Sequence, residues 1–302
     1  MTAQKNNMVA VASLLTGALV WGVIWYPYRA LQSAGLGGAS ASLITYLLPL
    51  LAGCYLFRKR GKQIRTAPWL LAAIAVSAGL CNVGYVLAML YGEVVRVMLL
   101  FYLAPLWTLL FAWLLLGEVA GPRGYPVIAL SIAGAVVMLW QPGGRWPLPY
   151  NNAEWLGLGS GMAFALSNVL SRKAVNIDET IKAGAVWAGV SAVALIVALL
   201  TEQPASAFAT VDASAWLLVG LVALVLFCVN LVVQYGLAHT SANRAIVIML
   251  SELVFAAASS FLLAFEHISW RDLVGGTMLV AAALYSGRLE QPVIRDQRSV
   301  IG

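Results

Sequence analysis

The chain has 302 residues, of which 62% are hydrophobic and 10% charged, and its formal net charge is +6. Its mean hydropathy is +0.87. Soluble globular domains contain about 45–50% apolar residues, so the composition excludes a soluble domain. We therefore expect an all-α integral membrane protein.

Apolar windows long enough to cross a bilayer follow one another along the chain. A transmembrane helix needs about 20 mainly apolar residues, and ten windows satisfy this length. They span residues 8–32, 37–57, 68–90, 94–117, 122–140, 153–175, 180–200, 213–238, 242–265 and 270–288. We expect ten transmembrane helices and no room for a soluble domain.

A pattern of polar residues occurs twice in the sequence with an offset of 148 residues. The matching pairs are Asn82 and Asn230, Arg96 and Arg244, Glu118 and Glu266, and Arg123 and Arg271. The pattern predicts one five-helix repeat at 1–141, a Pro- and Gly-rich linker at 142–152, a second repeat at 153–290, and a cytoplasmic tail at 291–302. Because five is odd, the second repeat is expected to be inverted. Inverted repeats are typical of secondary transporters, whose substrates bind near the midplane between the halves; the alternative is duplication of a packing scaffold.

The basic residues predict the orientation of the chain. If the ten helices alternate, 14 of the 18 Lys and Arg residues fall on one side of the membrane. The positive-inside rule assigns that side to the cytoplasm. We expect a multi-pass protein of the inner membrane with both termini cytoplasmic. The basic cluster at 58–65 is interpreted as a topology anchor, so no nucleic-acid partner is expected.

A short motif gives a resemblance to a known family. Pro105 is followed thirteen residues later by Glu118, directly after Gly117, and the second copy runs from Ser251–Glu252–Leu253 to Glu266. These elements resemble the repeat of the EamA family in the drug/metabolite transporter superfamily, most closely the YddG-type amino-acid exporters. The resemblance implies export of amino acids. Leu253 replaces the usual proline and Phe265 the usual glycine, which leaves open whether the ninth helix bends as the fourth does at Pro105.

Charged residues inside apolar windows are costly and require a reason. Glu252 lies near the centre of the ninth window, and it is expected to bind a substrate ammonium, to carry a proton, or to serve as a neutral hydrogen-bonding acid. Arg96 and Arg244 lie about one turn into their helices and are interpreted as anchors whose side chains reach the headgroups.

Two local ion pairs are also expected in the repeated motif. Each glutamate at the end of the motif is followed, within the next turn, by an arginine of opposite charge. These pairs are Glu118 with Arg123 and Glu266 with Arg271.

Aromatic and amide side chains follow matching helix stripes, which predicts a cavity between the halves. A buried amide must find a partner or water, and the alternative for each amide is a hydrogen bond between helices. The candidate substrate-binding residues are Trp21, Trp25, Tyr46, Asn82, Tyr85, Tyr102, Phe164, Asn168, Trp187, Asn230, Gln234 and Glu252.

The sequence carries no arrangement that predicts an enzyme, a metal site or a bound cofactor. His239 and His267 lack catalytic or metal-ligand spacing, and no phosphate-binding loop is present. The expected function is export of amino acids, aromatic or otherwise large and apolar, by alternating access. The alternatives are efflux of drugs or other metabolites, and a membrane scaffold or partner subunit. The expected partners are a small-molecule substrate and the lipid bilayer, and the protein is expected to be a monomer.

Overall fold

The structure is a computed structural model that describes residues 2–57, 66–118, 124–140, 148–202, 208, 211–239 and 248–286. Within these ranges the chain forms twelve α-helices and no β-strand. At residues 2–7, at 54–57 and at a few later helical positions, only the backbone is described. Each of the ten apolar windows overlaps at least one described helix, and parts of some windows, such as 242–247, lie outside the described residues.

Seven helices lie before residue 141. They are α1 Thr2–Val23, α2 Trp25–Ser33, α3 Gly38–Phe57, α4 Pro68–Tyr91, α5 Val94–Phe101, α6 Ala104–Leu116 and α7 Gly124–Leu139. Five helices follow. They are α8 Asn152–Lys173, α9 Glu179–Thr201, α10 Ala213–Ala238, α11 Ser251–Ala264 and α12 Trp270–Ser286.

Several of these helices have the length and composition of membrane spans. Five segments among the described residues reach at least 18 residues with high hydropathy, and two of them are formed by the helix pairs α1–α2 and α5–α6. Shorter apolar helices occur within α3, α7 and α11. Together these helices make the chain a multi-pass membrane protein.

The fourth apolar window is broken where its sequence contains proline. α5 ends at Phe101, a turn covers Tyr102 and Leu103, and α6 begins at Ala104 with Pro105 in its first turn. Proline lacks an N–H group and its ring clashes with the carbonyl four residues earlier, so the helix cannot continue unbroken.

The ninth window is broken at the equivalent position without a proline. Residues 248 and 249 are helical, Leu250 forms a turn, and α11 begins at Ser251. Leu250 lies 148 residues after Tyr102, so both breaks occur at the same place in the repeated motif. The absence of a proline at Leu253 therefore does not remove the bend.

The helices that follow these breaks also end in the same way. Gly117 closes α6 with φ 69° and Phe265 closes α11 with φ 54°, both in the left-handed region. The next N–H bonds back six residues in each case, from Glu118 to Ala112 at 3.2 Å and from Glu266 to Ser260 at 3.3 Å. A left-handed residue at the end of a helix is normally glycine, because glycine has no Cβ. Phe265 adopts the conformation although its Cβ makes it unfavourable by about 1–2 kcal/mol.

Three helices after residue 150 begin with side-chain caps. Asn151 accepts a hydrogen bond from the N–H of Glu154 at 2.8 Å, Asp178 accepts one from Thr180 at 2.9 Å, and Asp212 accepts one from Ala215 at 3.0 Å. These bonds satisfy N–H groups that have no partner inside the helix. They fix where α8, α9 and α10 start.

Helices from before and after the linker pack closely against one another. α4 lies against α8 and α9, α7 against α12, and α1 against α10 and α11. Glycines allow the closest approaches: a Cβ atom on Gly79 would lie 2.5 Å from the carbonyl oxygen of Gly189, and one on Gly134 would lie 2.9 Å from that of Gly275. Small residues at helix crossings are the usual means of close packing in membranes.

Candidate functional site

Two opposite ends of the helix bundle can be defined from their polar contacts. We call the end that contains Ser33, Gly92, Glu202 and Glu266 the Gly92 end. Arg29 and Glu266 bring together the end of α2, the α4–α5 connection and the end of α11 there. The other end, which contains Glu118, Arg172 and Lys173, we call the Glu118 end.

The two helix breaks meet in the interior of the bundle. The hydroxyl group of Tyr102, in the first break, donates a 3.0 Å hydrogen bond to Oε2 of Glu252, just after the second break. Glu252 therefore lies in the first turn of α11, rather than in the middle of an unbroken helix. The N-terminus of a helix carries a partial positive charge, which favours a carboxylate.

Buried aromatic side chains surround this contact. Trp25, Met89 and Met98 form a buried cluster, and Tyr85 and Tyr102 pack against it. The indole N–H of Trp25 donates to Oγ of Ser259 at 3.0 Å, and Trp25 is almost fully buried. Trp25 thus has a hydrogen-bonded position in the core.

A second polar contact lies between α3 and α4. The amide nitrogen of Asn82 donates to the hydroxyl oxygen of Tyr46 at 2.9 Å. The Oδ1 atom of Asn82 is buried and has no hydrogen-bond partner among the described residues. This contact is a bond between helices, and it leaves one acceptor free.

One face of α10 changes from buried to exposed along its length. Val219, Ala223 and Asn230 share this face, since they are spaced by four and seven residues. Val219 and Ala223 are buried, whereas Asn230, closer to the Glu118 end, is exposed. The Asn230 amide bonds only to its own helix, to the carbonyl of Leu226 at 2.7 Å, among the residues described.

The same change occurs on α8. Gly157 and Gly161 are buried, whereas Phe164 and Asn168, on the same face and farther toward the Glu118 end, are exposed. Phe164 is 43% exposed, and its ring lies 5.4 Å from that of Phe101. The faces that are buried near the Gly92 end are therefore exposed farther toward the Glu118 end, at Asn168 and Asn230.

The remaining candidates lie elsewhere in the bundle or have side chains that the structure does not describe. Trp21 packs against the cluster of Leu14, Val229 and Val233 between α1 and α10. Trp187 is partly buried on α9. The side chain of Gln234 lies outside the described residues.

The Gly92 end is held by an ion pair that the sequence did not predict. Arg29 Nη2 lies 3.4 Å from Oε1 of Glu266 and donates to the carbonyl of Gly92 at 2.7 Å. Arg29 Nε donates to the carbonyl of Met89 at 3.1 Å, and Oε2 of Glu266 accepts from the N–H of Val94 at 2.8 Å. Burial raises the pKa of the Glu266 carboxyl, and the Arg29 guanidinium opposes that rise.

The expected pairing of Glu266 with Arg271 is wrong. Arg271 donates instead to the carbonyl of Trp140 at 3.1 Å, and its guanidinium lies over the ring of Trp270. Glu266 follows a left-handed residue that turns the chain at the end of α11, and it meets Arg29 across the bundle.

Arg96 is held by two buried acids at the same end. Its Nε donates to Oε1 of Glu154 at 2.9 Å, and its Nη1 lies 3.7 Å from Oδ1 of Asp272. Glu154 and Asp272 are both buried. The interpretation of Arg96 as a headgroup anchor is therefore wrong; its counterpart Arg244 lies outside the described residues.

Glu202 makes a further link between helices of the two halves. Its carboxylate accepts hydrogen bonds from the N–H groups of Ala39 and Ser40, both at 2.8 Å, at the start of α3. Sequence reasoning missed Glu154, Glu202 and Asp272 as functional candidates. The available signal was their rarity, since the chain has only 12 acidic residues and each buried one requires a partner.

The Glu118 end carries one described ion pair between the halves. Arg172 Nη2 lies 2.6 Å from Oε1 of Glu118, and Lys173 Nζ donates to the carbonyl of Leu115 at 3.1 Å. Arg123, the expected partner of Glu118, lies outside the described residues. The observed partner, like that of Glu266, comes from the other half of the chain.

The chain is similar to known proteins over nearly its whole length. The model of the EamA-like transporter family matches residues 8–140 and again residues 151–288. An uncharacterized transporter of Archaeoglobus fulgidus is 24% identical over 280 residues, which cover 92% of this chain and 96% of the relative. A protein crystal structure has the same fold, with a TM-score of 0.54 and 18% identity over 91% of this chain and 95% of the other.

Proposed function

Because the chain belongs to the EamA-like transporter family and is a membrane transporter, we propose that it exports amino acids by alternating access. In this proposal ten spans form two inverted repeats of five helices, with the substrate between them. Secondary transporters of this design bind substrate near the midplane and expose it to one side at a time.

The main support for the proposal is that residues on two helix faces change from buried to exposed along the bundle. The shared faces of α8 and α10 are buried toward the Gly92 end and exposed at Asn168 and Asn230. At the same time, Arg29 and Glu266 join three segments at the Gly92 end. These two features support a substrate space that is open toward the Glu118 end and closed at the Gly92 end, which is the arrangement that alternating access requires.

The side chains that line this proposed space suit a zwitterion that carries an apolar group. Glu252 offers a carboxylate for an ammonium, with one oxygen held by Tyr102. The amides of Asn168 and Asn230 can bond a substrate carboxylate through their N–H groups. The exposed ring of Phe164 offers an apolar surface for a side chain.

The orientation follows from the distribution of charge. If 14 of the 18 basic residues lie on the cytoplasmic side, the Glu118 end is cytoplasmic and the Gly92 end faces outward. The described arrangement then corresponds to the state that takes up substrate from the cytoplasmic side of the inner membrane. Export follows when the Glu118 end closes and the Gly92 end opens.

Flux measurements in liposomes test this function. We expect purified protein to carry radiolabelled phenylalanine or leucine across the membrane, and Glu252→Gln to lose most of that flux. Leu217→Ala is the control, because Leu217 is 76% exposed and lies on the face of α10 opposite to Asn230. Flux of a cationic dye without amino-acid flux would instead support drug efflux. Absence of both, together with a partner that co-purifies, would support a scaffold.

A further inference from the structure

Two ion pairs occupy equivalent positions at opposite ends of the bundle. Glu266 lies 148 residues after Glu118, and each follows a left-handed helix cap with the same backbone hydrogen bond. Arg172 lies 143 residues after Arg29, and each is near the C-terminal end of its apolar window. In both pairs the arginine and the glutamate come from different halves of the chain.

We propose that these pairs are two matched latches of the transport cycle, with Arg29–Glu266 closing the Gly92 end and Arg172–Glu118 closing the Glu118 end. The proposal rests on alternating access and adds the residues that control it. Each latch is least solvated, and therefore strongest, in the state in which its own end is closed, and it stabilises that state. Weakening one latch therefore shifts the equilibrium toward the opposite state.

The Arg29–Glu266 pair has the contacts expected of an engaged latch. Besides each other, the two side chains bind the carbonyl groups of Met89 and Gly92 and the N–H of Val94. These bonds connect α2 and α11 to the connection between α4 and α5. Opening this end would break several charge-assisted hydrogen bonds together, which are stronger than neutral ones.

The Arg172–Glu118 pair is also formed, with Nη2 2.6 Å from Oε1, but it is the more solvated of the two. The side chain of Arg172 is 49% exposed, whereas that of Arg29 is 26% exposed. An exposed ion pair contributes little because water screens it. Arg172 lies one turn beyond Asn168 on the face of α8 that is exposed toward this end, so closing this end would bury the pair and strengthen it.

Thiol accessibility distinguishes matched latches from simple braces. One reporter is Met89→Cys, because Met89 is buried beneath the Arg29 contacts. The other is Asn230→Cys, because Asn230 is exposed and lies closer to the Glu118 end. Both are placed in a background without the native cysteines at 54, 81 and 228. The rate of reaction with a water-soluble thiol reagent is measured in purified full-length protein.

The two latches should act in opposite directions. We expect Glu266→Gln to increase labelling at Met89→Cys several-fold and to decrease labelling at Asn230→Cys. Glu118→Gln should decrease labelling at the first site and increase it at the second. The double exchange Arg29→Glu with Glu266→Arg should restore the wild-type rates. Glu202→Gln is the control, since Glu202 also joins the halves at the Gly92 end but, among the described residues, bonds backbone N–H groups and no arginine.

The results that would overturn the proposal are equally specific. Shifts of the same sign from Glu266→Gln and Glu118→Gln, or no shift from either in folded protein, would reduce both pairs to static braces. Opposite shifts in a protein that carries no amino acid would keep the latches and reject the proposed substrate. The labelling assay needs no substrate, so it separates the two proposals.

Discussion

Tyr102 and Glu252 join the two helix breaks of the repeated motif through one hydrogen bond of 3.0 Å. The residues lie 150 positions apart in the chain, yet each is within two residues of the break in its own half. A carboxylate at this junction contacts both halves at once. A ligand that binds Glu252 can therefore change the contact between the halves directly.

We predict that Glu252→Gln keeps the fold and lowers amino-acid flux by about tenfold or more. The amide can still accept the Tyr102 hydrogen bond, but it loses the charge that binds an ammonium. Hydrogen bonds to charged groups contribute about 1.5–3 kcal/mol, and 1.4 kcal/mol corresponds to tenfold. Flux per folded molecule in liposomes measures the effect. Wild-type flux in this variant would assign Glu252 a structural role.

We predict that Asn230→Ala lowers flux without lowering the yield of folded protein. The Asn230 amide bonds only to its own helix within the described chain, so its loss breaks no described contact between helices. Trp25→Phe serves as the contrast, because it removes the buried hydrogen bond to Ser259 and should lower thermal stability. Folded yield and flux are compared for each variant. A fall in yield that matches the fall in flux for Asn230→Ala would contradict a binding role.

We predict that Phe265→Gly stabilises the protein by about 0.5–1 kcal/mol, since it relieves a left-handed conformation that costs side chains about 1–2 kcal/mol. The gain is less than the full cost because glycine adds flexibility to the unfolded chain. Phe265 is largely exposed, so little packing is lost. Gly117→Ala at the equivalent cap should destabilise by a similar amount. Thermal unfolding in detergent checks both, and a lower Tm for Phe265→Gly would show that its ring contributes more than its backbone costs.

We predict that Arg96→Ala destabilises the folded protein by about 3–5 kcal/mol, because it leaves two buried acids without their cation. Combining it with Glu154→Gln should recover part of the loss by removing one of the two charges. The midpoint of thermal unfolding gives the comparison. An Arg96→Ala protein as stable as wild type would contradict a stabilising role for the contacts of Arg96 with Glu154 and Asp272.

We predict that a membrane-impermeant thiol reagent applied to intact cells labels single cysteines placed in 142–152 but not in 58–66. The basis is the asymmetry of the basic residues, 14 on one side and four on the other. Permeabilised cells provide the control, in which both segments should react. Labelling of 58–66 from outside would reverse the orientation and exchange the two ends of the bundle.

The sequence predicted the helices well because each apolar window is a local signal of sufficient length. It also predicted where the motif recurs, and the caps at Gly117 and Phe265 have the same backbone geometry. The bend before α11 was left open, since the expected proline is missing at Leu253. Packing across the bundle maintains the break where local sequence does not require it.

The ion pairs were predicted less well, for a physical reason. Each glutamate was expected to pair with the nearest arginine along the chain, but Arg29 and Glu266 are 237 residues apart. In a chain of low charge, each ionised group near a helix end must be neutralised by whatever the tertiary fold brings close. The exposure of Asn168 and Asn230 likewise depends on how whole helices pack, which helix periodicity alone does not predict.

The way Glu202 caps α3 has a consequence for how the molecule can move. The carboxylate at the end of α9 completes the first turn of α3, and the glycines of α4 and α9 bring their backbones into contact. α3 and α4 are therefore fastened to α9, which belongs to the other repeat. Under the proposed alternating access, the rigid bodies that move must then be assembled from both repeats. The boundary between them would therefore differ from the boundary between the two repeats.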